Sequence, residues 1–166
     1  MKKLPDQSSE CSIQQTLDVI GDRWLLLILR NLFRGARRFS QLENDLGIAK
    51  NLLASRLAKL VEAEIIVRVP YQERPVRHEY LLTQKGRDLS PSLVAMMRWG
   101  DRWCNEGEAP TLLVHSECGT PLDQVTRCPS CNDALDPAQI RSRPGPGSMK
   151  VRATFSRLMS LDSTRE

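Results

Sequence analysis

Aromatic residues are scarce in this chain: three Trp, three Phe and two Tyr, 5% of 166 residues. Its core must therefore be built mostly from Leu, Ile, Val and Ala, which a hydrophobic content of 40% permits. Histidine is scarcer, with two copies. That leaves little for acid–base chemistry. No nucleophile–base pair, phosphate-cradling loop or paired carboxylates stand out either, so an enzyme is not expected. Long apolar runs are missing too. The strongest, residues 24–32, is flanked by Arg23 and interrupted by Arg30. It falls well short of the roughly 20 apolar residues a membrane-spanning helix needs. The opening MKKLPDQSSE has no apolar stretch of the signal-peptide kind, which points away from export and toward the cytoplasm. In a reducing compartment the five cysteines suggest thiol or metal chemistry in preference to structural disulfides.

The length suits one ordinary domain with a small appendage. The net charge, +4, is modest, but between residues 34 and 87 eleven Lys/Arg stand against six Asp/Glu. Such a surplus on one face suits a polyphosphate partner; the plainer reading is a solvated charged surface.

Hydrophobic periodicity supplies the architecture. Residues 11–19 read as a short helix with Ile13, Leu17 and Ile20 on one face, closed by Gly21. Asp22 is placed to cap the next helix, 23–33, which is apolar nearly all round and so reads as a central buried element ended by Gly35. Ser40, with Glu43 three residues on, has the form of a capping box for a short helix 41–46. Gly47 supplies a turn, and a longer helix, about 49–63, follows with Leu53, Leu57 and Leu60 on one side. Two short strands, 65–69 and 80–82, flank a polar loop, YQERPVRHE. Thr83 then caps a last helical stretch in which Leu89, Leu93, Met96, Gly100 and Trp103 form a heptad-like seam. Pro91 means that this helix either kinks or begins in two pieces.

Short helix, tight turn, longer helix and hairpin together predict a mainly α fold with a small β-hairpin: a winged helix-turn-helix. The expected organisation is a flexible start (1–10), the winged helix-turn-helix and pairing domain (11–104), a small Cys/His module (105–141), and a linker with a tail (142–166). The seam suits pairing with a second copy, since two-fold operators favour two-fold readers; alternatively it packs on its own core. The N-terminal half of helix 49–63 would enter the major groove of double-stranded DNA, with Lys50, Asn51, Ser55 and Arg56 as candidates for base and phosphate contacts. Arg37, Arg38 and Gln41, with the helix amides at Ser40, would hold the backbone. Arg74 and Arg77 on the wing would reach a neighbouring groove. His78 is assigned no role.

From about residue 11 to 103 the chain resembles the HxlR family of bacterial winged helix-turn-helix transcriptional regulators. The residues that carry the resemblance are Cys11, IGDRW (20–24), LLILRNL (26–32), Gly35, RRFSQLE (37–43), Gly47 and Ile48, NLLASRLAKL (51–60), VPYQERPVRHEYLLTQKG (69–86) and WGDRW (99–103). The resemblance implies a dimer joined through N- and C-terminal helices, and repression or activation of nearby promoters. It also implies, from regulators of the family that sense oxidants or electrophiles through a cysteine near this place, a redox-sensing role for Cys11; the plainer role is a small buried apolar residue. A small-molecule effector is a further expectation. Two positions depart from the family pattern. Ala49 stands where Ser or Thr usually caps the recognition helix, and Glu64 stands where Gly usually follows it. A winged helix put to use on protein partners is the alternative function.

After Trp103 the composition changes. His115, Cys118, Cys128 and Cys131 are spaced H-x2-C-x9-C-x2-C. Two pairs with two-residue gaps suit a tetrahedral, structural Zn²⁺ in a zinc-ribbon-like module of about residues 112–135. The same Cys128–Cys131 unit also fits a dithiol switch, although no βαβ pattern surrounds it. Cys104 is either a partner for Cys11 or a spare ligand.

Overall fold

The computed structural model describes residues 11–145. The sequence-based expectations for 1–10, for the last part of the linker (146–148) and for the tail from 149 onward lie outside them. Two compact units divide the chain. One is Thr16–Gln124; of the described residues, 11–15 and 125–145 belong to the other.

The larger unit grows from α2, Arg23–Phe33, which follows α1, Ser12–Ile20. Asp22 caps α2 as anticipated, its Oδ1 accepting the Trp24 backbone N–H at 2.8 Å. Leu25, Ile28, Leu29 and Leu32 on α2 are buried, each contributing about 1.5–3 kcal/mol over an exposed position. Gly35, at φ +95°, closes the helix. Its N–H reaches Leu32 O at 3.1 Å, and the Ala36 N–H reaches Asn31 O at 3.0 Å, a left-handed closure that suits glycine.

The next helix, α3, spans Phe39–Leu46 and is N-capped at Arg38. Ser40 therefore lies inside the first turn and is not the cap. The sequence favoured Ser40 for its hydroxyl; in the structure Gln41 Oε1 accepts the Arg37 and Arg38 backbone N–H groups at 3.0 and 2.9 Å. Gly47, at φ +57°, turns the chain into α4, Lys50–Glu62. Leu42, Ile48, Leu53, Leu57 and Leu60 complete the core with Ile65 and Ile66. Behind α4 the expected departure at Glu64 takes physical form: its φ is +56°. The Glu64 and Ile65 N–H groups bond Val61 O and Leu60 O, both at 2.9 Å, in the closure that Gly35 makes after α2.

The hairpin is longer than the sequence suggested. β1, Ile66–Glu73, and β2, Val76–Leu82, run antiparallel with a register shift between Pro70 and Gln72. The polar stretch expected to be a nine-residue loop is strand down to a turn at Arg74 and Pro75. Most of its side chains face solvent, so charge spacing gave no apolar alternation to read. The last helix begins in two pieces, one of the two outcomes Pro91 allowed: α5, Gln84–Arg87, capped by Thr83, then α6, Ser90–Cys104. Its seam divides. Leu89 and Leu93 pack against the core, whereas Met96 and Trp103 are 53% and 64% exposed, as is Trp99 beside them at 62%.

Candidate nucleic-acid interface

Leu53 and Leu57 anchor α4 in the core, which turns its other side outward: Lys50, Asn51, Ala54, Ser55 and Ala58 are all exposed. Two small alanines among the polar residues leave a row low enough for a flat surface to approach closely. Ala49 precedes α4 with no side-chain cap, so the first-turn amides stay open to water or to an anion. Lys50 Nζ lies 3.8 Å from Glu43 Oε1 on α3, a loose pair on a lysine that remains largely exposed.

Arg56 is placed differently from the sequence expectation. Its Nε and Nη2 donate to Asp22 Oδ2 at 3.1 and 2.8 Å. The arginine is 20% exposed and the aspartate 32%. Its guanidinium thereby braces α4 against the start of α2. The Arg56 hydrogen bond, opposed by burial and aided by the Trp24 N–H, holds the Asp22 carboxyl below its ordinary 3.8.

Flanking this row are the arginines ahead of α3. Arg37 is exposed, and its carbonyl accepts the Tyr80 N–H at 2.8 Å. Arg38 forms an isolated bridge with Glu79, pairs with its carboxylate at 3.3 Å, and lies 4.5 Å from the Tyr71 ring centroid. Ser40 and Gln41 are exposed beside them. Arg74 at the hairpin tip and Arg77 on β2 are exposed; Arg68 contacts His78 Nδ1 at 3.0 Å. Contacts the sequence did not reveal are Tyr71 beneath Arg38 and Glu43 beside Lys50; long-range pairing leaves no local periodic signal.

The Cys/His residues fall into two turns of the same form. In the first, the His115 N–H bonds Thr120 O at 2.9 Å, Gly119 N–H bonds His115 O at 2.8 Å, and Leu122 N–H bonds Leu113 O at 2.8 Å. In the second, the same three bonds recur with every residue number raised by thirteen: Cys128 to Asp133, Asn132 to Cys128, and Leu135 to Thr126. Gly119 and Asn132, in equivalent places, have φ +70° and +60°. His115 Nδ1 lies 3.3 Å from Cys118 Sγ. The Thr120 hydroxyl and N–H, and then His115, lower the Cys118 thiol to about 7. The Cys131 and Ser130 N–H groups lower that of Cys128. Among the described residues no three His, Cys, Asp or Glu side chains form a group that could hold a metal. Cys11 and Cys104 are both exposed in the single chain. Among the described residues no helix is long and apolar enough to cross a membrane.

A short helix, a left-handed turn, an outward-facing second helix and a tied-down hairpin define a winged helix-turn-helix protein. Comparison with known proteins agrees. The family model for an HxlR-like helix-turn-helix matches residues 19–108. An uncharacterized HTH-type transcriptional regulator of Mycobacterium tuberculosis is 44% identical over 137 residues, 82% of this chain and 87% of the relative. The crystal structure of PA1607 superposes with a TM-score of 0.75 at 38% identity, covering 82% of this chain and 96% of that one. The redox regulator HypR in its reduced form gives 0.53 at 31% identity, covering 58% and 99%. The chain belongs to the HxlR-like helix-turn-helix family, a family of transcriptional regulators and not of enzymes.

Proposed function

We propose that this regulator acts in the cytoplasm as a homodimer that reads double-stranded DNA with the outward row of α4. The observation that carries the reading is that row itself: Lys50, Asn51 and Ser55 exposed on a helix whose opposite side is locked by buried leucines. Asn51 has the donor and acceptor to pair with adenine, and Lys50 can donate to guanine. Arg37, Arg38, Ser40 and Gln41 would position the phosphate backbone, and Arg74 and Arg77 the flanking groove. Met96, Trp99 and Trp103, with Leu17 and Val19 on α1, supply exposed apolar surface for a second copy. Fluorescence anisotropy with duplexes from the DNA flanking its gene tests the reading. Expected is tight, sequence-dependent binding whose affinity falls steeply with salt. Binding that ignores both salt and sequence would point to a protein partner instead.

Two further roles are proposed from sequence spacing and local geometry. His115, Cys118, Cys128 and Cys131 would hold one structural Zn²⁺, the support being two turns of one form, each presenting a ligand pair. Such an ion would supply folding stability and no chemistry. Cys11 would sense thiol-reactive oxidants, the support being its exposure; the related HypR is described as a redox regulator. A Cys11→Ser protein that loses diamide sensitivity in DNA binding supports this role, and retained sensitivity removes it.

A further inference from the structure

Within Thr16–Gln124 lies a cavity of about 470 Å³, between the C-terminal half of α2, one face of α6 and residues 110–114. The volume falls in the range of small-molecule sites. Phe33, Leu93, Val94, Met97 and Leu113 give it an apolar wall. This wall is distinct from the exposed Met96, Trp99 and Trp103 of α6, so the surface proposed for a second copy leaves the cavity's own residues uncommitted.

Its charges are specific. Arg30, on the last turn of α2, and Arg34, which caps it, both line the cavity. Arg30 uses Nε and Nη2 on Asn31 Oδ1, at 3.1 and 3.0 Å, which leaves Nη1 free to donate. The Arg34 guanidinium has no hydrogen bond or ion pair among the described residues. Asp101, also in the wall, pairs with neither arginine. Two guanidiniums at one wall invite one carboxylate; the Asp101 carboxylate opposes a second negative charge on the ligand.

Through its bonds to Asn31, Arg30 also connects the cavity to α3. Asn31, 4% exposed, is the single polar residue buried in the core among the described residues. Its Nδ2 faces Asp45 Oδ2 on α3 at 3.5 Å. Drawing Arg30 toward a ligand would loosen its hold on Asn31, which is one polar link to the first helix of the DNA-binding pair.

We propose that this cavity is an effector site for a small monocarboxylate with an apolar body, bound through Arg30 and Arg34. The effector role rests on the DNA-binding reading above; the binding itself does not.

Isothermal titration of the full chain, without DNA, with biphenyl-4-carboxylate and its uncharged analogue biphenyl-4-methanol is the test. The acid should bind at least about tenfold tighter than the alcohol, as charge-assisted bonds imply. Arg34→Gln, at an exposed position that the fold does not need, should abolish that preference while leaving the melting curve unchanged. Val94→Trp should fill the cavity and weaken both ligands. Equal affinity for acid and alcohol, no binding of either, or a preference that survives Arg34→Gln overturns the site. A second arm measures operator affinity with and without the acid. A change of several-fold that Arg34→Gln removes supports the effector role, and unchanged affinity overturns that role. Loss of all DNA binding by the ligand-free protein would strike the DNA reading alone, since the titration needs no DNA.

Discussion

Asp22 and Arg56 lie thirty-four positions apart, and one carboxylate serves both: Oδ1 caps α2 through the Trp24 N–H while Oδ2 takes two donors from the guanidinium. Arg56→Ala should therefore lower stability by about 1 kcal/mol, discounted for the partial exposure of the pair. Asp22→Ala, which also loses the cap, should cost about 2 kcal/mol. The pH dependence has a definite sign. The folded carboxyl sits below 3.8, so its contribution is complete above that value and disappears as pH falls through the lowered one. The stability gap between wild type and Arg56→Ala should narrow across that acid window in urea titrations. A gap that stays constant through that window would show that the loss does not come from the Asp22 charge.

Glu64→Gly should stabilise the protein by about 1 kcal/mol, because a left-handed residue with a Cβ carries a cost that glycine avoids. Ala49→Ser should add about 1 kcal/mol by capping α4. The sites lie at opposite ends of the helix, so the double variant should show nearly the sum in thermal or urea unfolding.

Gly86→Ala should be damaging. A Cβ there would stand 2.2 Å from Ile65 O and 3.1 Å from Leu82 Cδ2, so backbone at the root of the wing must move. A loss of about 2 kcal/mol is expected, with weaker DNA binding from a displaced hairpin. Wild-type unfolding curves for this variant would mean that α5 sits farther from β1 than described.

On DNA, Asn51→Ala should weaken the preferred duplex by roughly 1–3 kcal/mol and leave random-sequence binding nearly intact. Arg74→Ala should weaken both alike and reduce the salt slope by about one. Anisotropy over a salt series separates the two patterns.

If the two turns hold zinc, native mass spectrometry should find one ion per chain. Cys128→Ser or a strong chelator should remove it and lower the melting temperature. A metal-free chain with an unchanged melt on chelation would leave the turns as plain hairpins.

Much of this was legible in the sequence because it is local. The bounds of α2 and α4 follow from apolar spacing, and Asp22, Gly35, Gly47 and Thr83 act as the caps and turns their chemistry suggests. What escaped depends on partners far along the chain. Arg56 looked like a free cation until Asp22 was found beside it. Ser40 lost the cap position to a glutamine that reaches back. The wing read as a loop because strand pairing, and not side-chain alternation, holds it. On α6 a regular seam concealed two surfaces, since heptad spacing cannot say where the core stops.

The Tyr80 N–H on Arg37 O, and Arg38 against Glu79, have a consequence for control. They weld the hairpin to the start of α3, so wing and reading helix travel as one stiff tool. Any push on the hairpin is therefore passed to the start of α3 and, through the shared core, to α4.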